Sequence, residues 1–205
     1  MPRLAAAPLA LALLAALPGA ARAQQPAGGE PAVGAAPEVR RDGFFLGASL
    51  GLGSQRYSAD GYEDLQVEGA GLGVHLGGML TSQLALAIEL AYLSGESDET
   101  GDGPDVVIWQ RQIGAWLRYW PIPRLWLQGG LASLRAGARA NGVEGPKLKG
   151  AALTAAVGFE AVHQDTFALD VLLRVGGGDF SDSASDPDDL TTATIALLAS
   201  LSWYP

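Results

Sequence analysis

Five ionisable residues, Glu89, Arg118, Glu160, Asp170 and Arg174, lie inside otherwise apolar runs, with His75, Gln110, Gln112 and Gln128 in similar settings. Each occupies one of two alternating faces. In the run from Phe167, for example, Phe167, Leu169, Val171, Leu173 and Val175 alternate with Ala168, Asp170, Leu172, Arg174 and Gly176. Charges gathered on the narrow side of a sheet can close into a network of ion pairs and hydrogen bonds, or they can line a hydrated path. Confined charge without a partner is expensive, so pairing is expected, with Arg118 or Arg174 as the partner of Asp170.

Hydrolytic chemistry would need a base beside a nucleophile. The chain has two histidines, and only His75 shares its face with a serine and a carboxylate, Ser49 and Glu89. Nothing marks an oxyanion site or a substrate entrance, so no catalytic residue is assigned and no enzyme is expected. His163 falls in a turn and is expected to be solvated. There is no cysteine, no His/Cys/Asp grouping at metal-ligand spacing, and no glycine-rich phosphate loop ahead of a helix. No cofactor is therefore expected.

A second group of carboxylates lies between the apolar runs, in four segments expected to be loops: residues 55–66, 95–105, 137–148 and 179–190. Fourteen of the 22 acidic residues fall there, against three basic ones, so these segments are solvated and could share divalent cations with glycolipid phosphates. Asp98, Asp102 and Asp105 are a weak candidate for such a cation. They depart from the EF-hand pattern because the twelfth position counted from Asp98 is Trp109 rather than glutamate.

The elements that must position these residues are strands. Residues 68–92 alternate as Ala70, Leu72, Val74 and Leu76 against Gly69, Gly71, Gly73, His75 and Gly77. After a short link they continue as Leu84, Leu86, Ile88 and Leu90 against Ala85, Ala87, Glu89 and Ala91. Period two on both sides of a tight link predicts a hairpin. The face opposite the large apolar residues is too small and polar to fill a soluble core, whereas lipid selects this polarity. The same alternation predicts strands at 44–53, 106–120, 124–136, 151–160, 167–176 and 193–203. The fold class is therefore all-β, an eight-stranded antiparallel up-and-down transmembrane barrel, with short turns near 82, 122 and 164. Trp109, Trp120, Phe167, Trp203 and Tyr204 lie near strand ends, where an aromatic belt is expected. Trp126 is inward by parity and suits a core role equally well. Arg111 falls on the lipid parity near a loop end, where it can snorkel toward headgroups.

Around the barrel at 43–204, residues 1–23 combine Arg3, a short Leu/Ala run and the small-x-small sequence Ala21, Arg22, Ala23, which predicts a secretory signal peptide. Residues 24–42, rich in Pro, Gly and Ala, are expected to be a flexible periplasmic tail. Of 13 basic residues Arg3 and Arg22 leave with the signal, so 11 face 22 acidic ones and nucleic acid is not an expected partner.

The leader, the eight alternating strands and the aromatic end of the last strand at Trp203 resemble small Gram-negative outer membrane barrels. The nearest groups are the transmembrane domain of the outer membrane protein A family and the opacity-like, porin-like barrels. The resemblance implies an outer membrane location with both termini periplasmic, contact with lipid and glycolipid, insertion by the barrel assembly machinery, and a monomer. Pro205 after Tyr204 departs from the usual aromatic terminus. The expected function is a structural or surface-contact barrel with a plugged polar interior and acidic outer loops. A narrow channel for ions or small solutes is the alternative. A lipid-modifying hydrolase and a soluble lipocalin-like binder fit less well, since the latter needs an apolar interior.

Overall fold

The computed structural model describes residues 41–59, 61–97, 106–164, 166–181 and 190–205. Eight strands follow one another: β1 Phe44–Ser58, β2 Leu65–Thr81, β3 Leu84–Glu96, β4 Val106–Ile122, β5 Leu125–Ala140, β6 Val143–His163, β7 Phe167–Phe180 and β8 Leu190–Trp203. Each pairs antiparallel with its neighbour in sequence. β1 also pairs with β8, from Leu46 opposite Trp203 to Ser58 opposite Thr191, which closes the barrel. Closure leaves no strand edge within the wall, the condition for a sheet in hydrocarbon.

The period-two pattern sorts side chains as the sequence predicts. Leu50, Leu72, Ile88, Ile113, Leu131, Leu153, Val171 and Leu197 point outward and are exposed. Phe45, His75, Glu89, Trp116, Arg118, Gln128, Asp170 and Ser200 point inward and are buried. Small inward residues make room for large ones. A Cβ on Gly158 would lie 2.2 Å from Trp126 Cζ2, so glycine there lets a fully buried indole lie across the lumen.

Short connections lie at one rim, at Ser82-Gln83, at Pro123-Arg124 and between the end of β6 and the start of β7, beside the start of β1 and the end of β8. All three β-hairpins closed by these turns carry a register shift, between Met79 and Thr81, Tyr119 and Ile122, and Glu160 and Val162. Such bulges are common at barrel rims, where they re-aim side chains.

At the opposite rim the expected loops are shortened: β1 runs on to Ser58 and β2 starts at Leu65, which takes both ends of the expected 55–66 loop into the wall. Residues 137–148 are not a loop: β5 runs to Ala140 and β6 starts at Val143. Asn141 and Gly142, with φ of 51° and 78°, form a two-residue turn. Positive φ at both central positions is the type I′ hairpin geometry, which Asn-Gly favours because its twist matches the strands. β6 is consequently the longest strand, at 21 residues.

Candidate functional site

The inward residues form three levels. At the short-turn rim, Glu160 is the hub. Its Oε1 accepts from Trp120 Nε1 at 2.7 Å and Arg41 Nε at 3.2 Å, and its Oε2 accepts from Arg41 Nη2 at 2.6 Å. His163 Nδ1 lies 3.0 Å from the same Oε2. Ala161 is the extra residue of the β6 bulge. It turns the strand so that His163 comes back to the inner side, which is why this histidine is half-buried rather than free in a turn. Arg41 also lies over the Trp120 ring at 4.7 Å. Tyr204 packs against Phe45 and His163, with ring centres 5.7 and 6.4 Å apart.

One level up, Arg118 donates through Nε to Gln128 Oε1 at 2.9 Å and stacks on Trp126 at 4.1 Å, with Phe45 and Trp120 close by. The aromatic faces around the guanidinium add to the attraction it feels from the Asp170 and Glu89 carboxylates. Asp170 is buried at this level, opposite Glu160 across the β6–β7 pair, and joins no ion pair among the described residues. Of the expected partners, Arg118 attracts Asp170 through space without a direct ion pair. Arg174 instead reaches across the lumen to Glu89, Nη2 to Oε1 at 2.5 Å, and lies 5.4 Å from the Trp116 ring centre.

In the middle of the barrel His75 Nε2 is 3.1 Å from Ser202 Oγ. Ser49, His75 and Glu89 share the lumen, yet the histidine is engaged by Ser202 and the carboxylate by Arg174, and Ser49 Oγ has no hydrogen-bond partner. No hydrolytic relay is assembled. Above them, Gln110 Oε1 accepts from Thr192 Oγ1 at 3.3 Å, and Tyr57 donates to Gln55 Oε1 at 2.6 Å. Gln112 is buried beside them. An apolar layer of Tyr57, Val67, Ile108, Leu134 and Phe180 covers this end, with Tyr57 and Phe180 stacked at 6.2 Å. Between the middle and upper levels lies a cavity of about 30 Å³, lined by Gly71, Gln110, Gln112, Arg174, Thr194 and Leu198.

The aromatic residues divide into two sets. Trp109, partly exposed and stacked on Tyr92 with ring centres 6.5 Å apart, lies on the outer face, as do Phe167 and Trp203. Trp120 and Tyr204 are corrections to the expected belt: at 1% and 6% exposure they are inside, part of the rim core with Phe45 and Trp126. Trp120 follows the parity of Trp116 and Arg118, and parity outweighs nearness to a turn. Sequence reading also missed Arg41, assigned to the tail but buried against Glu160. The signal for it was a cation just ahead of β1 and an inward carboxylate near the same rim. Asp98, Asp102 and Asp105 lie outside the described residues; among those described, no group of three metal-ligating side chains comes together.

Outside the wall, two clusters carry perturbed carboxylates. Asp64 is held below the usual carboxylate range by hydrogen bonds from Ser58 and Arg56. Glu144, at the β5–β6 hairpin tip, is lowered first by its hydrogen bond from Lys147 and then by that from Arg139, at 2.7 and 3.0 Å.

A closed antiparallel barrel of eight strands, apolar outside and polar inside, is a small transmembrane barrel of the outer-membrane type. Solved structures share this fold. The attachment invasion locus protein Ail of Yersinia pestis, in complex with the heparin analogue sucrose octasulfate, is 17% identical. The match has a TM-score of 0.55 over 78% of this chain and 99% of that one. Neisserial surface protein A is 13% identical, with a TM-score of 0.55 over 79% of this chain and 97% of that one. No family model matches the sequence, and no curated protein matches it significantly.

Proposed function

We propose that this chain is an outer membrane protein whose barrel is closed by its own side chains and whose work is structural or surface contact through its outer rim. The observation that carries the reading is the density of the lumen. The inward charges of Arg174, Glu89, Arg41 and Glu160 are spent on one another, and a cavity between the levels, at about 30 Å³, has room for only about two waters. Eight strands enclose an interior that side chains can fill, and Trp116, Trp120 and Trp126 fill much of it. A conduit for ions would need these pairs to open.

In this reading residues 1–23 direct export and are removed, residues 24–40 precede the barrel on the periplasmic side, and the barrel assembly machinery inserts a monomer. The loop-bearing rim faces outward with its acidic segments, which attract divalent cations, Asp98, Asp102 and Asp105 among the carboxylates. The names of the similar structures, an attachment locus protein and a surface protein, support surface contact as the class of function. Heparin-analogue binding does not carry over easily, since the outer segments here carry mostly negative charge.

Because the chain has no cysteine, single-cysteine variants report topology cleanly. In intact cells an impermeant maleimide is expected to label Gly142→Cys at the hairpin tip and to spare Ser82→Cys in a short turn until the outer membrane is broken. Labelling of Ser82→Cys in intact cells would invert the orientation, and equal labelling of both in a soluble fraction would remove the membrane reading.

A further inference from the structure

Three cations stand in one row on the outer face of the wall. Arg111 on β4 is directly opposite Arg135 on β5, and Arg135 is directly opposite Lys149 on β6. All three are on the lipid parity; Arg135 and Lys149 are exposed and Arg111 is partly so. Strands about 4.8 Å apart bring such side chains together, and like charges directly opposite one another destabilise a sheet. Elsewhere toward this rim the outward cations are neutralised: Arg56 holds Asp64, and Arg139 and Lys147 share Glu144. Arg111, Arg135 and Lys149 form no ion pair among the described residues. Asp179, opposite Ala151 and so a diagonal neighbour of Lys149, does not bond it.

The height of the row indicates what it faces. From Ile122 to Arg111, β4 climbs about 28 Å at the usual rise and tilt, just above an apolar band about 25 Å tall. Below the row the outer face carries Ile113, Leu131, Leu153, Leu117 and Val157, and beside it are Tyr92 and Trp109, aromatic residues of the kind that mark an interface. A repulsive row at that depth is stabilised by an anion shared between its members.

We propose that Arg111, Arg135 and Lys149 form a docking site for the phosphate groups of an anionic glycolipid in the outer leaflet, whose acyl chains lie along the apolar wall below. The inference rests on the membrane reading above and gives it a defined lipid partner. Guanidinium groups suit phosphate because they offer paired donors, and Lys149 adds a mobile charge at the end of the row.

The test uses the refolded barrel in phosphatidylcholine vesicles doped with lipid A carrying both phosphates, or with the same lipid A after dephosphorylation. The lipid A retained per barrel is counted after detergent extraction. The wild type is expected to retain the phosphorylated form at least about ten-fold better. The triple variant Arg111→Gln/Arg135→Gln/Lys149→Gln should lose this preference. Arg139→Gln/Lys147→Gln, whose cations are already paired with Glu144, should keep it. Equal retention of both lipids by wild type, an unchanged preference in the triple variant, or displacement of lipid A by soluble sucrose octasulfate as effective as by free lipid A would overturn the proposal. The heat-dependent shift in gel mobility of a folded barrel, read on every sample, separates the two levels. A wild type that does not insert overturns the membrane reading, whereas an inserted barrel without preference overturns only the phosphate site.

Discussion

Arg174 and Glu89 meet at 2.5 Å with little of either side chain reachable by water, so removing one strands the other. Arg174→Ala is expected to destabilise the refolded barrel by about 3–5 kcal/mol in urea titrations, with Glu89→Ala similar and the double variant well below the sum. Additive losses would mean that the pair is not coupled. Trp120→Phe removes a hydrogen bond to the Glu160 carboxylate and should cost about 1–3 kcal/mol, whereas a lipid-belt tryptophan at this position would show little change. At this scale the sequence was informative about which residues turn inward and silent about which meet. Parity follows from a period of two, but Glu89 and Arg174 are brought together across the lumen by strand stagger and side-chain reach, which no local pattern records. The same gap explains why parity could name Arg118 as the cation that attracts Asp170 but could not say that the two stop short of a direct ion pair.

The strands were legible wherever lipid imposes its alternation and illegible where they rise beyond it. β6 begins Val143, Glu144, Gly145, Pro146, Lys147, a stretch whose polar residues and proline resemble a loop because both faces are in water. The overlooked signal was Asn141-Gly142. Gly142→Val should strain the turn by about 1–2 kcal/mol and speed amide exchange in residues 139–144 while the unfolding temperature of the barrel is unchanged. A barrel-wide loss of stability would show that the hairpin is not a separate unit. The tip also carries a pH dependence. Glu144 is lowered by Lys147 and Arg139, so its stabilising effect is present above the ordinary carboxylate value and is lost as pH falls through the lowered one. Carboxyl-resolved NMR titration should place its midpoint below that of a free glutamate; a midpoint at or above it would mean that the two cations do not hold it in solution.

For the molecule as a whole, the inversion of polarity determines the architecture: large apolar residues outside, small and polar ones inside, and a sheet that closes on itself through β1 and β8. Closure was inferred from the strand count and the cost of an open edge in lipid. The filling of the lumen depends on contributions that were harder to read, above all Trp120, Tyr204 and Arg41 gathered around Glu160. In the proposed reading these residues, with the Arg174–Glu89 pair and the apolar layer at the far end, close the lumen. The central claim is therefore a barrel that does not conduct, and single-channel recording of purified, refolded protein in a planar bilayer tests it most directly. Protein shown to be inserted should give no steady conductance, and Arg174→Ala should at most admit brief, irregular openings. A reproducible conductance in the wild type, changed in size or selectivity by replacing Arg174 or Glu89, would contradict the account and make those residues the lining of a pore.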